Sequence, residues 1–224
     1  MARNSLKTII FLAAVLCLAC LLPSLVLGQI TPREIAQSLQ EKYDATTSMS
    51  ADFTQKTSSD VSRREKEGRG TMVLLKPGRM RWDYKFPDRQ VIVCDGQSIT
   101  MYFAQENQML VAPAKQYLES DMTYSFFAGS GNILRNFTVE TPAEEDLRDN
   151  EATPLLRLTP NKDHPQIDYI LLWADDDFIM NRLKIVDKFG SMTDIRFSNV
   201  KLNPKISEHL FSFTPPAGTE IIKQ

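Results

Sequence analysis

The sequence predicts a mainly β, α+β domain: one strongly curved antiparallel sheet covered by helical segments. Three observations carry that expectation. From Met49 onward apolar residues recur with a period of two, in short runs separated by turn dipeptides. A helical pattern opens the domain at residues 31–44, and another, at 113–137, interrupts the strands. Several strands, among them "TMVLL", "QVIVC" and "YILLW", are bulky and apolar on both faces. In a single sheet that requires a cover on each face, or a ligand on one.

Residues 1–28 are set aside as a secretory signal peptide. Arg3 and Lys7 form a basic start, 9–22 is an unbroken apolar run, and Val26-Leu27-Gly28 offers small residues where a signal peptidase reads. Spanning a bilayer takes about 20 apolar residues, so the run is short for that. Cleavage is expected after Gly28, leaving residues 29–224 as one domain. A rival reading makes Cys20 a lipidated residue. Cys17-Leu18-Ala19-Cys20 half resembles a lipobox, against which stand Cys17 at its first position and apolar sequence running on to Leu22. Removing 1–28 takes away two basic residues and no acid, so the mature chain is more negative than the full chain's −2. With no basic cluster beyond "SRREK", nucleic acid is not an expected partner. Cys94 is the one mature cysteine, so no internal disulfide framework is expected.

In chain order, Thr31 can cap the first helix, Pro32 suits its first position and Glu34 closes a capping box. Ile35, Leu39 and Tyr43 then form one inward stripe. Strands are predicted at 49–59, 70–76, 79–85, 89–95, 97–103 and 107–112, with Pro77-Gly78, Pro87-Asp88 and Asp95-Gly96 as turns. Gly68 and Gly70 suit a bulge or a close backbone approach. In "GRMRWDYK", Met80, Trp82 and Tyr84 share one face and charged residues the other. The helical stretch contains Tyr117, Leu118, Met122, Phe126 and Phe127, is broken by "GSGN" and ends in a short helix at "NILRNF". Residues 141–152 read as a polar loop or a frayed turn. Strands resume at 154–160, 166–174, 178–188, 192–201 and 209–215, for a total of ten or eleven.

Motifs for catalysis are not found: no nucleophile elbow, phosphate-binding loop or dinucleotide fingerprint occurs. His164 and His209 lack neighbours at metal-ligand spacing, and "DDDFIMNRL" lacks the spaced ligands of a calcium loop. The expectation is a non-enzyme without metal or cofactor. What remains is an excess of flexible apolar residues, such as Met72, Met80, Met101, Met109, Met180 and Met192. Methionine adapts to varied ligands, though each one alone is ordinary core.

Four stretches in order resemble one family: "SADFTQK", then "GRGTMVLLKPGRMRWDYKFPDRQVIVCDG", then "FFAGSGNILRNF", then "FSFTPPAGTEII". The chain resembles the LolA family of periplasmic outer-membrane lipoprotein carriers, in register over nearly all of 29–224. The resemblance implies a half-open antiparallel barrel of about eleven strands under a helical lid. Acyl chains of a lipoprotein would occupy the cavity between them. It further implies cargo delivery from an inner-membrane ABC transporter to an outer-membrane acceptor by a monomer. The cavity lining is expected at Phe53, Met72, Leu74, Met80, Trp82, Tyr84, Val91, Val93, Met101 and Phe103. The lid would present Ile35, Leu39, Tyr43, Met122, Phe126 and Phe127. Lys76, where the family often has Arg, would latch the lid through backbone carbonyls, without arginine's planar fork of donors. The alternatives are a glycolipid carrier or envelope sensor on the same fold, and an anchored acceptor lipidated at Cys20.

Overall fold

The capping box read at Thr31 is formed. Thr31 N donates to Glu34 Oε2 at 2.8 Å and Glu34 N donates to Thr31 Oγ1 at 3.3 Å, starting helix α1, Pro32–Ala45. The computed structural model describes residues 30–59, 64–120, 132–147, 155–164 and 167–224. The chain separates into two compact units, Met1–Ile30 and Thr31–Gln224, and the fold is that of the second. Met122, Phe126 and Phe127, like residues 1–28, lie outside the described residues.

After α1 come six strands: β1 Ser48–Ser59, β2 Arg64–Leu75, β3 Arg79–Phe86, β4 Gln90–Asp95, β5 Ser98–Phe103 and β6 Gln108–Pro113. Helices α2 (Ala114–Ser120) and α3 (Ile133–Asn136) follow, then β7 Phe137–Glu140, β8 Leu156–Pro160, β9 Tyr169–Ala174, β10 Met180–Val186, β11 Met192–Leu202 and β12 Glu220–Lys223. All twelve strands form one sheet in the order β12-β6-β5-β4-β3-β2-β1-β11-β10-β9-β8-β7. The outermost strands, β12 and β7, do not pair with each other, so the curved sheet stays open.

The glycine reading at β2 is explained by the pairing with β3. A Cβ on Gly70 would lie 1.9 Å from the Asp83 carbonyl oxygen, and the register slips there, between Arg69 and Gly70. Only a residue without a side chain lets the two backbones come that close.

Both faces of the sheet are covered. The inner face carries the main core, with Phe53, Met72, Leu74, Met80, Trp82, Ile92, Leu172, Leu183 and Ile195, and α1 adds Ala36 and Leu39 to it. The outer face of β2–β6 carries a second cluster of Val91, Val93, Tyr102 and Met109, closed by Phe211, Ile206 and Phe213 from the C-terminal segment. That segment is tied down by Arg81 Nη1 donating to the Leu210 carbonyl at 2.8 Å and by an Arg79–Glu208 ion pair at 2.8 Å. On β9 the outward Tyr169 and Trp173 are roofed by the guanidinium groups of Arg157 and Arg182, 3.5 and 4.2 Å from the ring centres.

Three sequence expectations are corrected. Residues 209–215 do not form a strand: Glu208–Phe211 is a 3-10 turn, and its job is to carry Phe211 onto the outer cluster. Two strands, β7 and β12, are additional to those read from the residues, which brings the number among the described residues to twelve. And β12 lies parallel to β6, pairing Ile221 with Met109, so the sheet is antiparallel except at one edge. The polar loop at 141–152 contains a 3-10 turn, Glu144–Leu147, held by Asp146, whose side chain is 1% exposed and accepts from Arg157 at 2.8 Å.

Candidate binding cavity

An apolar cavity of about 70 Å³ lies where α1 meets the inner face, lined by Leu39, Tyr43, Met49, Leu74, Ile133, Leu172, Phe178 and Met180. The wall is built from the last turns of α1, the start of β1, the end of β2, α3 and the β9–β10 turn.

Alternation along β2 puts Met72, Leu74 and then Lys76 on the inner side. The strand therefore delivers an ammonium group to the C-terminal end of α1. Lys76 Nζ donates to the Tyr43 carbonyl oxygen and sits 3.5 Å from the centre of the Tyr43 ring. The Lys76 backbone N–H donates to the Thr47 carbonyl at 2.9 Å. Carbonyls in a helix's last turn lack intrahelical partners and carry the negative end of its dipole, so a cation fits there. Burial draws the Lys76 ammonium below its ordinary pKa, and the charge of Asp44 partly opposes that.

Gln40 joins the two covering helices. Its Oε1 accepts from the buried Ile133 N–H at 2.9 Å, while its Nε2 donates to Asp44 at 2.8 Å. Sequence reasoning missed this residue: a lone Gln on an amphipathic helix looks like surface. It also missed the β9–β10 rim. Asp175 Oδ1 accepts from the N–H groups of Asp177 and Ile179 at 3.1 and 2.8 Å, so the Asp run is a turn, as expected. Within it Phe178 is held at φ +59°, an uncommon state for a bulky residue, and its ring joins the cavity wall. The signal was present in "DDDF", but only the turn geometry shows where the ring goes.

Of the residues expected to line the cavity, Phe53, Met72, Leu74, Met80, Trp82 and Met101 are buried on the inner face, with Tyr84 and Phe103 partly buried against them. Phe53 packs edge-on against Trp82 and Tyr84, both at 4.8 Å between ring centres. The Tyr84 hydroxyl donates to Gln55 Oε1 at 2.8 Å. The small cavity touches Leu74 alone among these ten; Phe53, Met72, Met80, Trp82, Tyr84, Met101 and Phe103 form the packed floor beyond it. Val91 and Val93 are a correction. Trp82 faces Ile92 across the β3–β4 pair, and Met80 faces Cys94, and facing residues share a side of the sheet. The inner residues of β4 are therefore Ile92 and Cys94, and Val91 and Val93 belong to the outer cluster. Ile35 and Tyr43 are partly buried on the core and Leu39 is fully buried there. His164 and His209 lie away from the cavity, and among the described residues no group of three His, Cys, Asp or Glu is placed to hold a metal ion.

The inner face offers shelter rather than reacting groups. An open sheet with a greasy inner face covered by helices is the frame of a binder of apolar ligands. Comparison with known proteins narrows that class. Residues 44–214 match the family described as "Outer membrane lipoprotein carrier protein LolA". An outer-membrane lipoprotein carrier protein of Methylobacillus flagellatus is 31% identical over 186 residues, covering 83% of this chain and 87% of the relative. Its counterpart in Methylococcus capsulatus is 28% identical over 196 residues, covering 88% and 89%. The crystal structure of an uncharacterized conserved protein from Thermus thermophilus has a TM-score of 0.52 at 13% identity, covering 86% of this chain and 98% of that one, and supports the fold. The chain belongs to the LolA family.

Proposed function

We infer that this chain is a periplasmic carrier that shields the acyl chains of outer-membrane lipoproteins while they cross the aqueous space between two membranes. The observation that carries the reading is the apolar inner face, roofed by α1 and α3 and closed by the Lys76 contact with the Tyr43 carbonyl. Each CH₂ kept from water is worth roughly 0.8 kcal/mol, so a sixteen-carbon chain on the order of 12 kcal/mol needs a shield. Met72, Met80 and Trp82 are fully buried beneath the roof, so an acyl chain reaches that floor only when the roof swings off it. Cargo and closed roof then compete for the same apolar surface, which keeps binding reversible.

The finer scheme follows the family: cargo is received from an inner-membrane ABC transporter and handed to an outer-membrane acceptor by a monomer exported with cleavage after Gly28. Carriage is binding, shielding and release, and calls on no catalytic group. The test is native mass spectrometry of the protein taken gently from the periplasm, followed by intact mass after denaturation. A chain starting at Gln29 with lipoprotein bound supports the carrier. A diacyl mass on Cys20 would replace it with an anchored acceptor.

A further inference from the structure

Tyr43 meets Lys76 through its carbonyl and lines the cavity with its side chain. Its hydroxyl is buried, and among the described residues it has no hydrogen-bond partner. A buried hydroxyl in that state is costly and calls for an explanation. The cavity that Tyr43 lines is mostly apolar, with Leu39, Leu74, Ile133 and Leu172. Beside Tyr43 the polar lining residues are Gln40, Lys42 and Thr46; Gln40 is already engaged with Ile133 N and Asp44, and Thr46 with the Lys42 carbonyl. The phenol is therefore an unsatisfied buried donor beside a greasy cavity, at the end of α1 that Lys76 contacts.

An acyl tail has nothing for a donor. The ester at its root does: a carbonyl oxygen that accepts and cannot donate. We propose that the Tyr43 hydroxyl donates a hydrogen bond to the ester carbonyl that joins a bound acyl chain to its glyceryl head. This rests on the carrier reading and adds to it a fixed position for the head, at the latched end of α1, with the tail beyond on the inner face. The bond exists only in the loaded state, so it favours cargo over the empty closed form. Burial, helped by the charge of Asp44, pushes the phenol up to about 12, so the donor keeps its proton throughout the physiological range.

The test uses the mature chain and two probes: a peptide whose N-terminal cysteine carries a dipalmitoylglyceryl thioether, and the same peptide with dihexadecyl ether chains, which lack the carbonyls. Tyr43→Phe is expected to weaken binding of the diester about fivefold to tenfold and to leave binding of the ether unchanged. The thermal midpoint of unloaded Tyr43→Phe is expected at or above wild type, since the variant loses only an unpartnered group. Equal losses on both probes, or none on either, would overturn the proposal while the carrier reading stood. A lowered midpoint would also overturn it, by showing the hydroxyl satisfied before cargo arrives. Wild-type protein that binds neither probe would remove the carrier reading and this proposal together. A diester phospholipid separates two sources of the same linkage: a loss there assigns the contact to diacylglyceryl esters at large, and its absence confines it to the cysteine-linked ester.

Discussion

Replacing Lys76 by Leu removes a charged donor from the Tyr43 carbonyl and a cation from the Tyr43 ring. A hydrogen bond from a charged donor is worth about 1.5–3 kcal/mol, and a half-buried ammonium belongs at the low end. Leucine keeps apolar contact with the ring, so the cation–π loss adds only about 0.5 kcal/mol. The closed roof is then weakened by about 2 kcal/mol, or roughly thirtyfold in its equilibrium with the open state. Apparent affinity scales with the fraction of molecules able to accept cargo. More open protein therefore means tighter retention and slower release, with no loss of secretion. Hydrogen exchange reads the first step: the Thr46 amide, bonded to the Tyr43 carbonyl, and the Lys76 amide, bonded to Thr47, should exchange up to thirtyfold faster. A lipoprotein transfer assay reads the second. Unchanged exchange together with unchanged release would refute the latch, and faster release would refute the competition between roof and cargo. Lys76→Arg should restore wild-type exchange.

Further outcomes follow from single contacts. Gly70→Ala drives a methyl into the Asp83 carbonyl at 1.9 Å and should cost at least about 3 kcal/mol in a denaturant titration. Val93→Ala, beneath the C-terminal segment, should cost about 2 kcal/mol while cargo affinity stays at the wild-type value; a change in affinity would return Val93 to the inner face. Arg157→Leu strands the buried Asp146 carboxylate and should cost about 3 kcal/mol by the same titration. Hydrogen bonding and charge from Arg79 hold the Glu208 carboxyl below its ordinary 4.5. Its contribution to anchoring the C-terminal segment is complete above that value and is lost as pH falls through the lower folded value. An NMR titration of Glu208 should show the depressed midpoint, and Arg79→Leu should return it toward 4.5.

Much of this was legible in the residues. The period-two runs located most strands because each buries one face, and Thr31 and Glu34 announced α1 because capping is local chemistry. What stayed hidden is nonlocal. "EIIK" is four exposed residues that become a strand only because β6 offers an edge. "HLFSFTP" alternates like a strand, yet Phe211 and Phe213 are apolar for the sake of the outer cluster and not of a ladder. Val91 to Cys94 are buried on both sides, so periodicity is silent about which side is inner, and the pairing of Trp82 with Ile92 decides it. The contact of Lys76 with the end of α1 was legible from the resemblance together with Lys76-Pro77. The open hydroxyl of Tyr43 was not, since a tyrosine on a helical stripe says nothing of where its oxygen ends.

A closed barrel has its diameter set by strand number and stagger. Here the ring is never joined: β12 and β7 end the sheet without pairing. Its girth is accordingly a variable and not a constant of the architecture. A sheet with free edges can flatten or coil by small changes in twist with its ladder intact. A sealed cylinder, by contrast, would need a new strand count for each change of girth.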